Sequence, residues 1–500
     1  MKLPASIKNW ISISGAILAL FNLASIISLM VLNTLFNFGG SYIGLFIYII
    51  LPIFMITGLI LIPIGMRINK KKSRKAEKEG KTPGWPILNF NNTATRNATM
   101  IFTVGSVFLL IISSIGSYEA FHYTESVEFC GKLCHNVMEP EYTTYYGSSH
   151  ERVACVECHV GSGADWYVKS KLSGLYQVYS VLAKKYPQPI PTPIANLRPA
   201  QETCEECHWP EKFYDRSLRV KHSFLADDFN TERIIQLQIK TSSQNTPTGF
   251  EKGIHQHIDP SVKIEYKTID DRRQVIPWVK YTNLETGEVE IYTDEENLIS
   301  QTKLDSLETR TMDCLDCHNR PSHNYNVPQN FIDMSMAEGE ISKGLPAIKM
   351  AAMLVLNQDY PDKDSAFNAI ETQIIEFYKL GYPEIYAENL SAINTAIEEI
   401  KIDYSKNIFP FMKASWKAYP NNIGHMESDG CYRCHNDRHA TNTGKVISRD
   451  CNLCHNILAQ GTPDEMEYTL SYEPLEFNHP VDIGEAWKTE FCSLCHSQLY

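Results

Sequence analysis

Cys155-Val156-Glu157-Cys158-His159 decides how this chain must be built, because the same five-residue pattern returns along its whole length. It recurs as Cys204-Glu205-Glu206-Cys207-His208, Cys314-Leu315-Asp316-Cys317-His318, Cys431-Tyr432-Arg433-Cys434-His435, Cys451-Asn452-Leu453-Cys454-His455 and Cys492-Ser493-Leu494-Cys495-His496. A seventh version, Cys130-Gly131-Lys132-Leu133-Cys134-His135, carries one extra residue. The seven pairs use all 14 cysteines of the 500 residues, and a histidine follows each pair. Two thiols one helical turn apart can reach both vinyl groups of one porphyrin, and the adjacent imidazole is then aimed at the iron. C-x-x-C-H is accordingly the attachment signature of c-type haem. Zinc also uses paired cysteines, but it needs two pairs per ion and seven is odd. Sixteen histidines would follow all seven pairs by chance with a probability on the order of 10⁻¹¹. Seven covalent haem c groups are expected, their irons held on one side by His135, His159, His208, His318, His435, His455 and His496.

Seven irons need sixth ligands, and nine histidines stand outside the motifs: His122, His150, His222, His255, His257, His323, His425, His439 and His479. His425 and His439 flank the fifth motif, His479 precedes the seventh, His323 follows the fourth, and His150 and His222 lie among the first four. The simplest assignment gives these six to the second to seventh haems and leaves His122, His255 and His257 without one. Met138, three residues after His135, is either a thioether ligand, which would raise that haem's potential, or a plain apolar residue.

The net charge of −12 averages two unlike parts. Residues 1–117 balance at +9 and the remainder at −21. No charge falls between Lys8 and Arg67, a run of 58 residues long enough for two membrane spans, with a break near Phe36-Asn37-Phe38-Gly39-Gly40. A third uncharged run covers Asn97 to Tyr118. The loop Arg67-Ile68-Asn69-Lys70-Lys71-Lys72-Ser73-Arg74-Lys75, with Lys78 and Lys81, belongs in the cytoplasm, so the third span delivers the cysteine motifs to the outer face. The uncharged run is too long for a cleaved signal peptide. The acidic exterior gives nucleic acid no footing and suits a basic protein partner.

The expected architecture is mainly α with extensive irregular haem-packed structure: three transmembrane helices and a multihaem periplasmic region with a small β insertion. Residues 1–118 form the membrane anchor with its basic loop 67–96, and 119–330 a tetrahaem domain. Within the latter, 225–310 form the β insertion, from alternating runs such as Val262-Lys263-Ile264-Glu265-Tyr266 and Val289-Glu290-Ile291-Tyr292. Gly253-Ile254-His255-Gln256-His257 opens that insertion and either ligates a haem or caps it. Residues 331–405 are a helical spacer, with helical periodicity over Ala366–Leu380 and Ala387–Ile402, and 406–500 a trihaem module.

Glu128 to His208, with Cys314 to His323, resembles the NapC/NirT family of membrane-anchored quinol dehydrogenases. The likeness rests on Phe129-Cys130 opening a motif just after a span, Glu141-Tyr142 and Ser149-His150 before the second motif, Cys155 to Val160, Glu202-Thr203-Cys204, and the Cys314-to-His323 segment. The whole layout resembles seven-haem inner-membrane cytochromes with three spans. What the resemblance implies is a quinol site beside the first haem at the membrane surface, with that iron ligated by a methionine just after the motif. Met138 is the matching residue, though its spacing and the longer motif depart from the family pattern, which leaves His135 and Met138 both open for that iron. The family also carries a lysine and, six residues on, an aspartate near the quinol. Lys171 matches the lysine, but Gln177 stands where aspartate is expected, and Lys169 is a competing alignment. A glutamine hydrogen-bonds quinol but cannot accept its proton. Family members usually have one anchor, so the first two spans are an addition.

The expected function is oxidation of menaquinol or another quinol from the membrane pool. Electrons would be relayed to a periplasmic cytochrome or reductase in anaerobic or extracellular respiration, from a bacterial inner membrane with the haems facing the periplasm. A single chain and a homo-oligomer are both compatible with this. Two rival readings stand beside it. One is a terminal reductase for nitrite, hydroxylamine or a sulfur oxyanion, which needs a haem with an open sixth position. The other is an electron-transfer subunit that does not oxidise quinol.

Overall fold

The computed structural model describes residues 9–36, 47, 50–76, 89–133, 135–161, 164–194, 198–209, 213, 216–243, 252–470 and 473–497. The chain divides into two compact units, 1–135 and 136–500. The turn expected after Phe36, the cytoplasmic lysines Lys78 and Lys81, and Cys134 with the His135 side chain lie outside the described residues.

In the first unit, α1 (Trp10–Phe36), α2 (Leu51–Ala76) and α3 (Thr93–Glu125) fall on the uncharged stretches expected to span, but α2 and α3 run past them, and Arg67 to Lys75, expected in a loop, continue α2 as helix. Each is long and apolar enough to cross a membrane. α1 and α2 cross where both helices carry glycine. A Cβ on Gly15 would lie 2.6 Å from the Gly58 carbonyl oxygen, and one on Gly58 equally close to that of Gly15. Apolar side chains gain nothing by leaving lipid for one another, so close backbone approach at small residues is what holds such a pair. The Ser12 hydroxyl adds a bond to the Ile62 carbonyl at 2.9 Å. α3 starts at Asn92, whose side chain accepts from the Ala94 amide. It leaves Phe102, Val104, Phe108 and Ile111 exposed, as a lipid-facing helix should.

The largest apolar core described in the second unit falls where there is no cysteine motif. Helices α6 (Pro328–Glu338), α7 (Ile348–Leu356), α8 (Lys363–Gly381) and α9 (Leu390–Asn407) bury Phe331, Ile348, Val355, Ile374, Tyr378 and Ile400 together. Asp362 caps α8 through the Ser365 amide at 2.7 Å. Pro383–Glu388 forms a separate short helix, so the periodicity expected from Ala387 begins instead at Leu390. A buried ion pair, Lys349 with Asp333, ties this layer to the neighbouring sheet, because the Asp333 carboxylate also accepts the Phe224 amide at 3.0 Å.

The strands are not confined to 225–310. β1 (Arg216–Phe224) and β2 (Glu232–Lys240) pair with each other, then with β8 (His455–Thr462) and β9 (Glu465–Tyr468) from the last ninety residues, in the order β1-β2-β8-β9. A second sheet has the order β6-β3-β4-β5-β7: β3 (Val262–Lys267), β4 (Trp278–Asn283) and β5 (Val289–Asp294), with β6 (Arg310–Thr311) and β7 (His439–Ala440) at the edges. All neighbours are antiparallel. Both sheets are therefore completed by strands from around the fifth and sixth cysteine motifs, and the β region joins the two groups of motifs.

Candidate haem centres

The second and fourth to seventh motifs sit on one short helical or 3₁₀ turn each, and the third on a turn, which sets their two cysteines on one side. The fourth is the best anchored. Asp313 and Asp316 form a capping box around Cys314–Cys317. The buried Asp316 carboxylate also accepts from the Tyr266 hydroxyl at 2.5 Å, Arg310 Nε at 2.8 Å and Arg273 Nη1 at 3.0 Å. Its main-chain oxygen accepts from Arg433, inside the fifth motif, at 2.8 Å. No disulfide joins any of the described cysteines.

Opposite each of six motif histidines the structure places a second imidazole. Ring centres are 6.3 Å apart for His159 and His323, 6.0 Å for His208 and His150, and 6.4 Å for His318 and His255. They are 5.8 Å for His435 and His257, 6.2 Å for His455 and His425, and 6.3 Å for His496 and His479. Two imidazoles on opposite sides of one metal, with metal–nitrogen bonds of about 2 Å, have ring centres about 6 Å apart. The outer nitrogens are committed elsewhere. Nδ1 of His150, His255, His257, His323 and His479 lies 2.5–3.2 Å from the carbonyl oxygens of Pro321, Thr241, Ile254, Glu141 and Val481 respectively. A proton on Nδ1 leaves Nε2 bare for a metal. Burial pushes His159, His255, His318, His435 and His455 below the usual imidazole range, and His323 and His425 down to about 4, so these rings are neutral, the form that binds iron.

Two of the six expected sixth ligands are elsewhere. His222 lies on the edge strand β1 with Nδ1 3.1 Å from Glu232, and no motif histidine faces it among the described residues. His439 is fully buried in β7, with Nδ1 3.0 Å from the Asn436 side chain and Nε2 2.7 Å from the Ile276 carbonyl oxygen, which leaves neither nitrogen for a metal. Their places opposite motif histidines are taken by His255 and His257. Proximity in sequence to a motif was the misleading signal; the H-x-H spacing in a turn was the available one. His150, His323, His425 and His479 each face a motif histidine. His122 lies at the end of α3, its ring 4.4 Å from that of Tyr118.

From the second motif on, each motif lies near the next one in the chain, and the fifth also meets the seventh, where the Ser493 hydroxyl donates to Asp429 at 2.5 Å. Burial raises the Cys158 thiol, and Cys207 of the next motif adds to the shift; Cys204, pushed up to about 11, likewise feels Cys314. Cys317, pushed up to about 12 by burial, feels Cys431; Cys454, at about 11, also feels Cys431; and Cys492 feels Cys451. Haem fits this setting by a further observation. Arg320 is half-buried with its guanidinium 3.9 Å over the Tyr419 ring, and its buried Nε and Nη2 have no hydrogen-bond partner among the described residues. A haem propionate would supply the carboxylate acceptor they lack.

The residues implied in quinol binding are less concentrated. Met138 is half-buried on α4 (His135–Tyr146). Lys171 and Gln177 share α5 (Ala164–Leu182), but a spacing of six sets them about 120° apart around the helix. Leu172, Leu175, Tyr176, Tyr179 and Leu182 form one exposed apolar stripe on α5, with Lys171 and Lys169 at its two margins.

Residues 92–189 match the NapC/NirT cytochrome c family, N-terminal region. Over 490 residues, 98% of this chain and 95% of the relative, the sequence is 43% identical to the cytochrome c-type protein ImcH of Geobacter sulfurreducens. The chain belongs to the NapC/NirT family of membrane-anchored multihaem cytochromes. A shorter match, 30% identical over 102 residues, is to the cytochrome c-type protein NrfH of Wolinella succinogenes, and covers 20% of this chain and 57% of that one. No solved structure matches. Family membership makes the protein an electron-transfer cytochrome with covalent haem c, anchored in the inner membrane with its haem region in the periplasm.

Proposed function

We propose that this family member is a seven-haem quinol dehydrogenase that draws electrons from the membrane quinol pool and carries them along its motifs to a periplasmic acceptor. The observation that carries this reading is the set of six opposed imidazole pairs, one at each motif from His159 to His496. Covalently held haem supplies one-electron carriers. The chain supplies their order, their axial nitrogens and the polar groups around them. An imidazole on both sides of six sites leaves no open coordination face there, which counts against a terminal reductase working at any of the six.

Quinol oxidation releases two electrons and two protons. Entry is assigned near the first motif, with Met138 or His135 at that iron and Lys171 beside the quinol oxygen. Gln177 cannot take a proton, so the protons leave through water to the periplasm. The exposed stripe of α5 supports this placement, since it offers an apolar surface to a prenylated quinol while Lys171 borders it. The acceptor end is the seventh motif, in a stretch that carries Asp464, Glu465, Glu467, Glu473, Glu476, Asp482, Glu485 and Glu490 against Lys488. A periplasmic redox protein with a basic face suits that end. Stopped-flow mixing of the membrane-embedded protein with a menaquinol analogue tests the reading. Haem reduction that a quinol-site inhibitor abolishes is expected; no reduction by the analogue, with normal reduction by dithionite, overturns it.

A further inference from the structure

Two of the six imidazole pairs are supplied from a single turn. Ile254–Ile258 is a five-residue 3₁₀ helix, and each residue of such a helix turns the direction by about 120°, so side chains two apart point to different sides. His255 faces His318 with ring planes 8° apart, and His257 faces His435 with planes 80° apart. Only Gln256 separates the two, yet their partners belong to the fourth and fifth motifs, which lie on either side of the whole helical layer in sequence.

The turn is fixed at both ends. A side chain at Gly253 would meet the Lys240 carbonyl oxygen at 2.0 Å, so only glycine lets the turn lie against the end of β2. The Gly253 amide donates to the Ser242 carbonyl at 2.9 Å, and the Lys240 amide to that of Cys454 in the sixth motif at 2.8 Å. At the far end the buried Asp259 carboxylate accepts from the Ser261 amide at 2.8 Å, and the chain runs on into β3. Phe213 stacks on the His255 ring at 4.1 Å.

We propose that residues 253–258 are a two-haem clip. His255 supplies the sixth ligand of the haem on Cys314–His318, and His257 that of the haem on Cys431–His435. The position of one turn then sets the ligation of both haems, at the junction between the first four motifs and the last three. The inference rests on reading the opposed imidazoles as axial ligands, and not on which molecule donates the electrons.

The test uses full-length holoprotein in detergent. Ferric low-spin haem between near-parallel imidazoles gives a rhombic EPR signal, and between near-perpendicular ones a signal dominated by one large g value. The described pairs include two of the first kind, at 8° and 22°, and two of the second, at 78° and 80°. His255→Met is expected to halve the rhombic component alone, and His257→Met the large-g component alone, each adding one methionine-ligated haem with its near-infrared charge-transfer band. Gly253→Ala, whose methyl drives the turn off Lys240, is expected to disturb both components together. If a methionine variant keeps the parental spectrum and gains no such band, that ligand and the clip are overturned. If both methionine variants behave as expected but Gly253→Ala disturbs one component or none, the clip falls and the ligands stand. Should a methionine variant not mature, His255→Gly or His257→Gly is made in its place and grown with imidazole. A component that then depends on imidazole supports the ligand, and one that persists without it overturns it. Absence of either component from the parental protein also overturns the proposal.

Discussion

Hydrogen bonding at the outer imidazole nitrogen makes one pair unlike the rest. Five of the six opposing histidines have Nδ1 on a backbone carbonyl oxygen. His425 Nδ1 is buried with no partner among the described residues, and so is that of His455 across from it. Donation from Nδ1–H strengthens an imidazole as a ligand and favours ferric iron. The sixth haem is therefore expected to have the highest potential of these six. A tenfold change corresponds to about 59 mV for one electron, or about 1.4 kcal/mol, and a hydrogen bond is worth about 1 kcal/mol, so the offset is on the order of tens of mV. Potentiometric titration followed by EPR checks this, since reduction should remove the His425/His455 component first. His439 gives the opposite case. His439→Leu leaves the Ile276 carbonyl oxygen buried without its donor and should cost about 1–3 kcal/mol in thermal or denaturant unfolding, with the EPR spectrum unchanged. Loss of a low-spin component would show instead that His439 is a ligand. Covalent attachment was legible in the sequence because thiol spacing and the adjacent imidazole are local. The pairing of opposed imidazoles was not, although four of the six histidines expected there do face a motif histidine, because His150 crosses to the motif after next and His323 reaches back two motifs, distances no local pattern encodes.

The elements were legible where one face alone is buried. Alternation over Val262–Tyr266 and Val289–Tyr292 falls on β3 and β5, and the helical period from Ala366 falls on α8. β7 has two residues and β8 begins at a motif histidine, so both are too short or too polar to show a period. Yet they close both sheets. The helical layer makes its own stability prediction. Burial pushes Asp333 up and Lys349 down, so each group resists its charge while the pair and the Phe224 amide offset that cost. Removing one partner leaves the other charge buried alone. Lys349→Met should cost about 3–5 kcal/mol of unfolding free energy, and adding Asp333→Leu should recover most of it. A single variant as stable as the parent, in denaturant titration, would show that the pair is not buried in solution.

At the scale of the whole molecule, the charge split and the motif order together make direction a property of the chain. The basic residues before position 118 hold one side in the cytoplasm, and everything that can hold haem follows on the other. Each thiol pair then feels the next one along, from Cys158 to Cys492; Tyr432 of the fifth motif also lies against the seventh, its ring 5.5 Å from that of Phe491, so among the described contacts the unbranched part of the path is the one through the fourth motif. A branched or globular haem cluster would tolerate loss of any one member; a path that narrows to one motif would not tolerate loss of that one. Replacing both Cys314 and Cys317 by alanine removes the fourth attachment point from the middle of the file, whereas replacing Cys492 and Cys495 removes the last. In the first variant, electrons supplied by a quinol analogue should reduce the haems before the gap and leave those after it oxidised on the timescale of parental turnover, slowed at least about tenfold, or about 1.4 kcal/mol of barrier. In the second, quinol-driven reduction of the remaining haems should keep its parental rate, and only transfer to a periplasmic acceptor should fall. Stopped-flow spectra of both variants, matched by dithionite reduction to count their haems, decide the matter. Equal slowing in the two would mean that electrons do not enter at the first motif and leave at the seventh.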